Sequence, residues 1–164
     1  MNPSETHEQP RSPGATRATP AARRRVIAVL AALLTVAAGL GIRAVADGPV
    51  TKYGGDALYT LLLYTLVLVV APRARPAIAA TVALAASWAV EFFQITGIPA
   101  ELATRSVLAR LVLGTSFNPP DLFWYAVGGA LGWAVHALAE RTSRTGLAGL
   151  AGRADRAVQR SSRR

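Results

Sequence analysis

The residues with the most chemical potential lie in and after SWAVEFFQITG, residues 87–97, where a carboxylate, Glu91, and an amide, Gln94, sit inside an apolar run. Ser87, Glu91 and Gln94 fall at i, i+4 and i+7, so they share one face of a helix. Downstream, Asp121 and Tyr125 are spaced i, i+4, and Gly128, Gly132 and His136 continue the same line. Arg105 lies between the two groups. Two carboxylates and a guanidinium can clamp an anion bidentately or exchange a proton. No nucleophile motif, metal-ligand cluster or phosphate-binding loop accompanies them, so binding is favoured over catalysis and neither cofactor nor metal is implied.

Glu91 carries a cost. At mid-helix in a bilayer an ionised carboxylate is penalised by up to roughly 2.5–3.5 kcal/mol, and by less toward a helix end. A nearby guanidinium offsets this, and Arg105 in the following loop is the expected partner. Two readings stay open: a ligand-binding cluster of Glu91, Gln94, Arg105, Asp121 and Tyr125, or a network that only braces the helices. Asp121 after two prolines, and Asp56 after two glycines, also read as helix caps. Arg110 reads as facing headgroups, and His136 as added polarity near the inner interface.

The elements that must position these residues follow from composition. Of 164 residues 52% are hydrophobic and 16% charged, which places the chain among membrane proteins. Its formal net charge of +9 then points to anionic lipid headgroups at the basic tails, not to nucleic acid. There is no cysteine, so disulfides and thiol chemistry are excluded.

Four apolar segments are expected to cross the lipid bilayer: Val26 to Ile42, Asp56 to Ala71, Ala77 to about Ile95, and Asp121 to about Ala139. A signal anchor or first span is favoured for the first of these over a cleaved leader. Residues 1–25 read as a disordered basic arm and 140–164 as a basic tail, largely disordered, with a weak interfacial helix as the competing reading. The connection between spans three and four is long for a bundle loop, and its middle, Glu101 to Leu113, reads as an interfacial helix on the extracytoplasmic side. The fold class is therefore all-α, a polytopic four-helix membrane domain over residues 26–139.

Positive charge sets the expected orientation. Arg23, Arg24 and Arg25, the turn residues Arg73 and Arg75, and the arginine-rich tail fall on one side, which the positive-inside rule makes cytoplasmic. Both termini are then inside, and Glu91, Gln94 and Asp121 lie at the outer end. Gly128 and Gly132 form a small-xxx-small pattern that lets another helix approach closely. Whether the chain forms a homo-oligomer is left open.

The order Glu91-x-x-Gln94, Arg105, LVLGTSF, then Asp121-x-x-x-Tyr125-x-x-Gly128-x-x-x-Gly132 resembles an uncharacterised bacterial membrane family, domain of unknown function 2809. It is also distantly similar to the VanZ-like family, whose members share a Glu-x-x-Gln, a downstream Arg and an Asp-x-x-x-Asn-x-x-Gly-x-x-x-Gly helix. Tyr125 stands where the VanZ-like pattern has Asn, so an antibiotic-resistance role does not carry over. The resemblance covers roughly Asp56 to Trp133 and implies a small polytopic protein of the bacterial cell envelope. Its expected ligand is a polar or anionic envelope molecule, either a lipid headgroup or glycopeptide-like.

Overall fold

The computed structural model describes residues 19–161. Among them are six helices and no strand: α1 (Pro20–Val45), α2 (Pro49–Val70), α3 (Pro76–Gln94), α4 (Ile98–Arg105), α5 (Val107–Leu113) and α6 (Pro119–Ser161). Four stretches are long and apolar enough to span a bilayer, namely α1, α2, α3 and the Pro119–Ser143 part of α6. The protein is a multi-pass, all-α membrane protein.

Proline punctuates the chain. Pro20, Pro49, Pro76 and Pro119 each open a long helix, where the missing N–H is one that no intrahelical carbonyl would accept. Glycines with positive φ sit at the breaks: Gly48 (73°) before α2, Gly97 (76°) before α4 and Gly114 (68°) after α5. The four long helices run alternately up and down. α2 packs against α1, α3 and α6, and α3 against α6, while α1 touches α2 alone among the described helices.

The distribution of side chains is that of a bundle in lipid. Leu30, Leu33, Leu34 and Leu40 on α1 are each more than half exposed, whereas Thr60, Ser87 and Glu91 present no surface at all. Apolar groups outside and polar groups inside reverse the rule for a water-soluble core. Two of these interior groups satisfy one another. Ser87 Oγ donates to the Ala83 carbonyl at 3.0 Å and lies 2.8 Å from Thr60 Oγ1, so the Thr60 hydroxyl is left to donate to Ser87.

Close approach of α2 and α6 depends on two glycines. A Cβ on Gly128 would overlap the Ala57 carbonyl of α2, and one on Gly132 would stand 2.9 Å from Tyr64 Cγ. Gly129, one position away, has 3.7 Å to its nearest neighbour. The crossing therefore runs along the Gly128–Gly132 line.

Four expectations are corrected. α1 begins at Pro20, so Arg23, Arg24 and Arg25 belong to its first turns and not to an arm; residues 1–18 of that arm lie outside the described residues. α2 begins at Pro49, which makes Asp56 an internal residue of the helix and not its cap. The single helix expected over 101–113 is two, because Ser106 is extended (φ −147°) and its hydroxyl caps α5 by accepting from Ala109 N at 3.2 Å. The tail is not an irregular chain from residue 140, since α6 continues to Ser161; residues 162–164 lie outside the described residues.

Candidate functional site

The end of the bundle where α1 and α3 finish and α2 and α6 begin gathers most of the polar side chains singled out above. Glu91 lies in the last turn of α3, an unfavourable place for a carboxylate because unpaired helix carbonyls point that way. The start of α6 compensates. Glu91 Oε1 accepts from the backbone N–H of Asn118 at 2.6 Å, and Oε2 accepts from the Tyr125 hydroxyl at 3.0 Å. Both carboxylate oxygens are thus partnered, and Glu91 is wholly buried.

Gln94, one turn on, holds the connecting segment. Its Nε2 donates to the Leu113 carbonyl at 2.8 Å, while the Tyr59 hydroxyl of α2 donates to the Val112 carbonyl at 3.0 Å. These are two carbonyls of α5's final turn, which its own backbone leaves unpaired. Gly114 follows with positive φ, and a Cβ there would come within 2.6 Å of Gln94 Nε2. The requirement to donate to Leu113 fixes the amide orientation, leaving Gln94 Oε1 buried and without a hydrogen-bond partner among the described residues.

Asp121 occupies the first turn of α6, where the helix dipole favours a negative charge. It is buried, and its Oδ1 accepts from the Asn118 side-chain amide and from Lys52 Nζ. The same ammonium is 3.7 Å from Asp56 Oδ2, so Lys52 stands between the two carboxylates. Asp56 Oδ2 has no hydrogen-bond partner among the described residues. Tyr53 stacks on Trp124 with ring centroids 5.3 Å apart, an aromatic pair of the kind found at headgroup depth.

A cavity of about 450 Å³ opens between these elements. Asp56, Glu91, Gln94, Asp121 and Tyr125 line it together with Thr115 and Ser116, and Arg43, Lys52 and Arg110 add positive charge to the lining. Arg43 and Arg110 are exposed and form no ion pair among the described residues. The volume falls within the range of small-molecule sites, roughly 300–1,000 Å³.

The structure brings Glu91, Gln94, Asp121 and Tyr125 together but not Arg105. Arg105 ends α4, is exposed, does not line the cavity and forms no ion pair among the described residues. Glu91 takes its hydrogen bonds from Asn118 and Tyr125 in place of a guanidinium. The cations at the site are Arg43, Lys52 and Arg110. Lys52 was findable, since Pro49 after Gly48 is a helix-start signal and Lys52-x-x-x-Asp56 is an i, i+4 pair. Nothing in the sequence pointed Arg43 inward.

His136 is elsewhere. Fifteen residues beyond Asp121, about 22 Å along a helix, its Nδ1 lies 2.9 Å from the Tyr64 hydroxyl and its Nε2 lies 3.7 Å from Glu140. This group ties α2 to α6 at the opposite end of the bundle.

Residues 45–129, just over half of the chain, match the model of a family described as "Protein of unknown function (DUF2809)". The matched span runs from the end of α1 through the first turns of α6 and so contains every cavity residue except Arg43. No curated protein and no solved structure matches the chain.

Proposed function

The chain belongs to the DUF2809 family of proteins of unknown function, and from that membership together with its cavity we propose that it binds the polar or anionic headgroup of a cell-envelope molecule. The observation that carries this reading is the pair of exposed guanidinium groups, Arg43 and Arg110, which line a cavity at one end of a transmembrane bundle and form no ion pair among the described residues. Guanidinium groups in that position suit a phosphate, which takes parallel N–H bonds from each. The excess of arginine at the opposite ends of the helices supports an outward-facing cavity with both termini in the cytoplasm. The likeness of the Glu91, Gln94, Asp121 and glycine pattern to VanZ-like proteins supports a bacterial cytoplasmic membrane as its setting. α4 and α5, amphipathic and short, are placed by this reading at the interface beside the cavity.

A second reading has its own observation. Glu91 is wholly buried with both oxygens partnered, so its role is to brace α3 against the start of α6. The two readings divide the cluster: Glu91, Tyr125 and Asn118 hold the frame, and Arg43, Arg110, Lys52 and Gln94 face the ligand. Binding is tested by titrating the detergent-solubilised chain with phospholipids and with diacylglycerol of the same chain length while following thermal unfolding. Phospholipid raises the melting temperature with concentration and diacylglycerol does not. Equal effects of the two lipids would refute headgroup binding.

A further inference from the structure

The cavity holds more than cations. Gln94 is more than nine-tenths buried and lines the cavity, and its Oε1 has no hydrogen-bond partner among the described residues; the amide cannot turn to hide this atom, because Nε2 is committed to Leu113. Asp56, on the facing helix, lines the same cavity, and among the described residues its Oδ2 has the Lys52 ammonium at 3.7 Å and no hydrogen-bond partner. Buried acceptors without donors are costly to leave so, and a ligand that brings N–H would satisfy both.

Charge narrows the ligand further. Three cations, Arg43, Lys52 and Arg110, face three carboxylates, Asp56, Glu91 and Asp121, so the lining is formally neutral. A purely anionic group would leave an excess negative charge among these carboxylates in a low-dielectric setting, whereas a neutral ligand with separated charges would not. Arg43 and Arg110 are exposed and without an ion pair among the described residues, whereas the two acceptor atoms are buried. We infer that the cavity takes a zwitterionic aminoalkyl phosphate, with its phosphate at Arg43 and Arg110 and its primary ammonium donating to Gln94 Oε1 and Asp56 Oδ2. This rests on the headgroup-binding reading above and adds the requirement for N–H. Phosphoethanolamine, lipid-linked or free, has this chemistry; choline phosphate has the same charges and no N–H.

The test uses the full chain in detergent, titrated with dioctanoyl phosphatidylethanolamine, phosphatidylcholine, phosphatidylglycerol and diacylglycerol, with tryptophan fluorescence as the readout. Phosphatidylethanolamine is expected to bind about tenfold more tightly than phosphatidylcholine, and Asp56→Asn to reduce that preference severalfold. Equal binding of the ethanolamine and choline lipids, both above diacylglycerol, would overturn the ammonium inference and leave headgroup binding standing. Phosphatidylglycerol binding as tightly as phosphatidylethanolamine would also overturn it, since a hydroxyl would then suffice. If no phospholipid exceeds diacylglycerol, both readings fall. Competition by soluble O-phosphoethanolamine at equal concentration identifies a free ligand; competition only by the lipid identifies a membrane one. The lipid comparison on the unaltered chain decides the matter even if Asp56→Asn does not fold.

Discussion

The Tyr125 hydroxyl donates to Glu91 Oε2 at 3.0 Å inside the bundle, so the last turn of α3 and the second turn of α6 share one buried carboxylate. Tyr125→Phe leaves that oxygen without a donor and is expected to destabilise the fold by roughly 1–3 kcal/mol. Glu91→Ala strands both the Tyr125 hydroxyl and the Asn118 N–H and should cost more. Glu91→Gln keeps an acceptor for Asn118 and can donate to Tyr125, so it should cost least. Thermal unfolding of the three variants in one detergent checks this order.

The Gly128 contact with Ala57 makes a second expectation sharp. Gly128→Ala drives a methyl into a backbone carbonyl and should lose about 1–3 kcal/mol to overpacking. Gly129→Ala has room for the methyl and should be neutral or slightly stabilising, because Ala restricts the unfolded chain more than Gly. Melting temperatures of the pair read the difference directly.

Two hydrogen bonds tie α5 to the bundle, from Tyr59 to Val112 and from Gln94 to Leu113. Tyr59→Phe removes one. Gly114→Ala strains a backbone (φ 68°, ψ −164°) that is open essentially to glycine alone, by about 1–3 kcal/mol, and presses on Gln94. Both substitutions should speed amide hydrogen exchange across residues 107–118 while the centres of α2 and α3 keep their protection. An unchanged exchange rate in that segment would mean that these bonds do not hold it.

The four spans were legible because apolar runs of the right length are bounded by arginines, glycines or prolines. The cluster was legible in part. Glu91, Gln94, Asp121 and Tyr125 share helix faces that spacing reveals, and all four reach the cavity. Which arginine of the segment over 101–113 reaches the cavity was not legible, because it depends on where that segment breaks. Ser106 ends one helix and caps the next, which leaves Arg105 outside and carries Arg110 to the cavity. Asp56 was misplaced for a related reason: Lys52, Gly54 and Gly55 look like loop residues in water, yet they are helical where α2 packs on α1 and α6. The satisfying of Glu91 by a backbone N–H, at Asn118, leaves no trace in residue types.

Arg105 and Arg110 therefore separate by function. Arg105→Gln should change neither stability nor lipid binding, and Arg110→Gln should leave the fold intact while weakening phospholipid binding severalfold. Raising the salt concentration should weaken binding to the unaltered chain more than to the Arg110→Gln variant. Titration of both variants with the same phospholipid at two ionic strengths checks the contrast.

Whether Arg43 and Arg110 hold a headgroup phosphate in this cavity is read by native mass spectrometry of the unaltered chain and of the Arg43→Gln, Arg110→Gln double variant, released from detergent with the same mixture of phospholipids. The unaltered chain should retain one phospholipid, and the double variant, melting at the same temperature, should retain about tenfold less. Equal retention by the two folded proteins would contradict the claim.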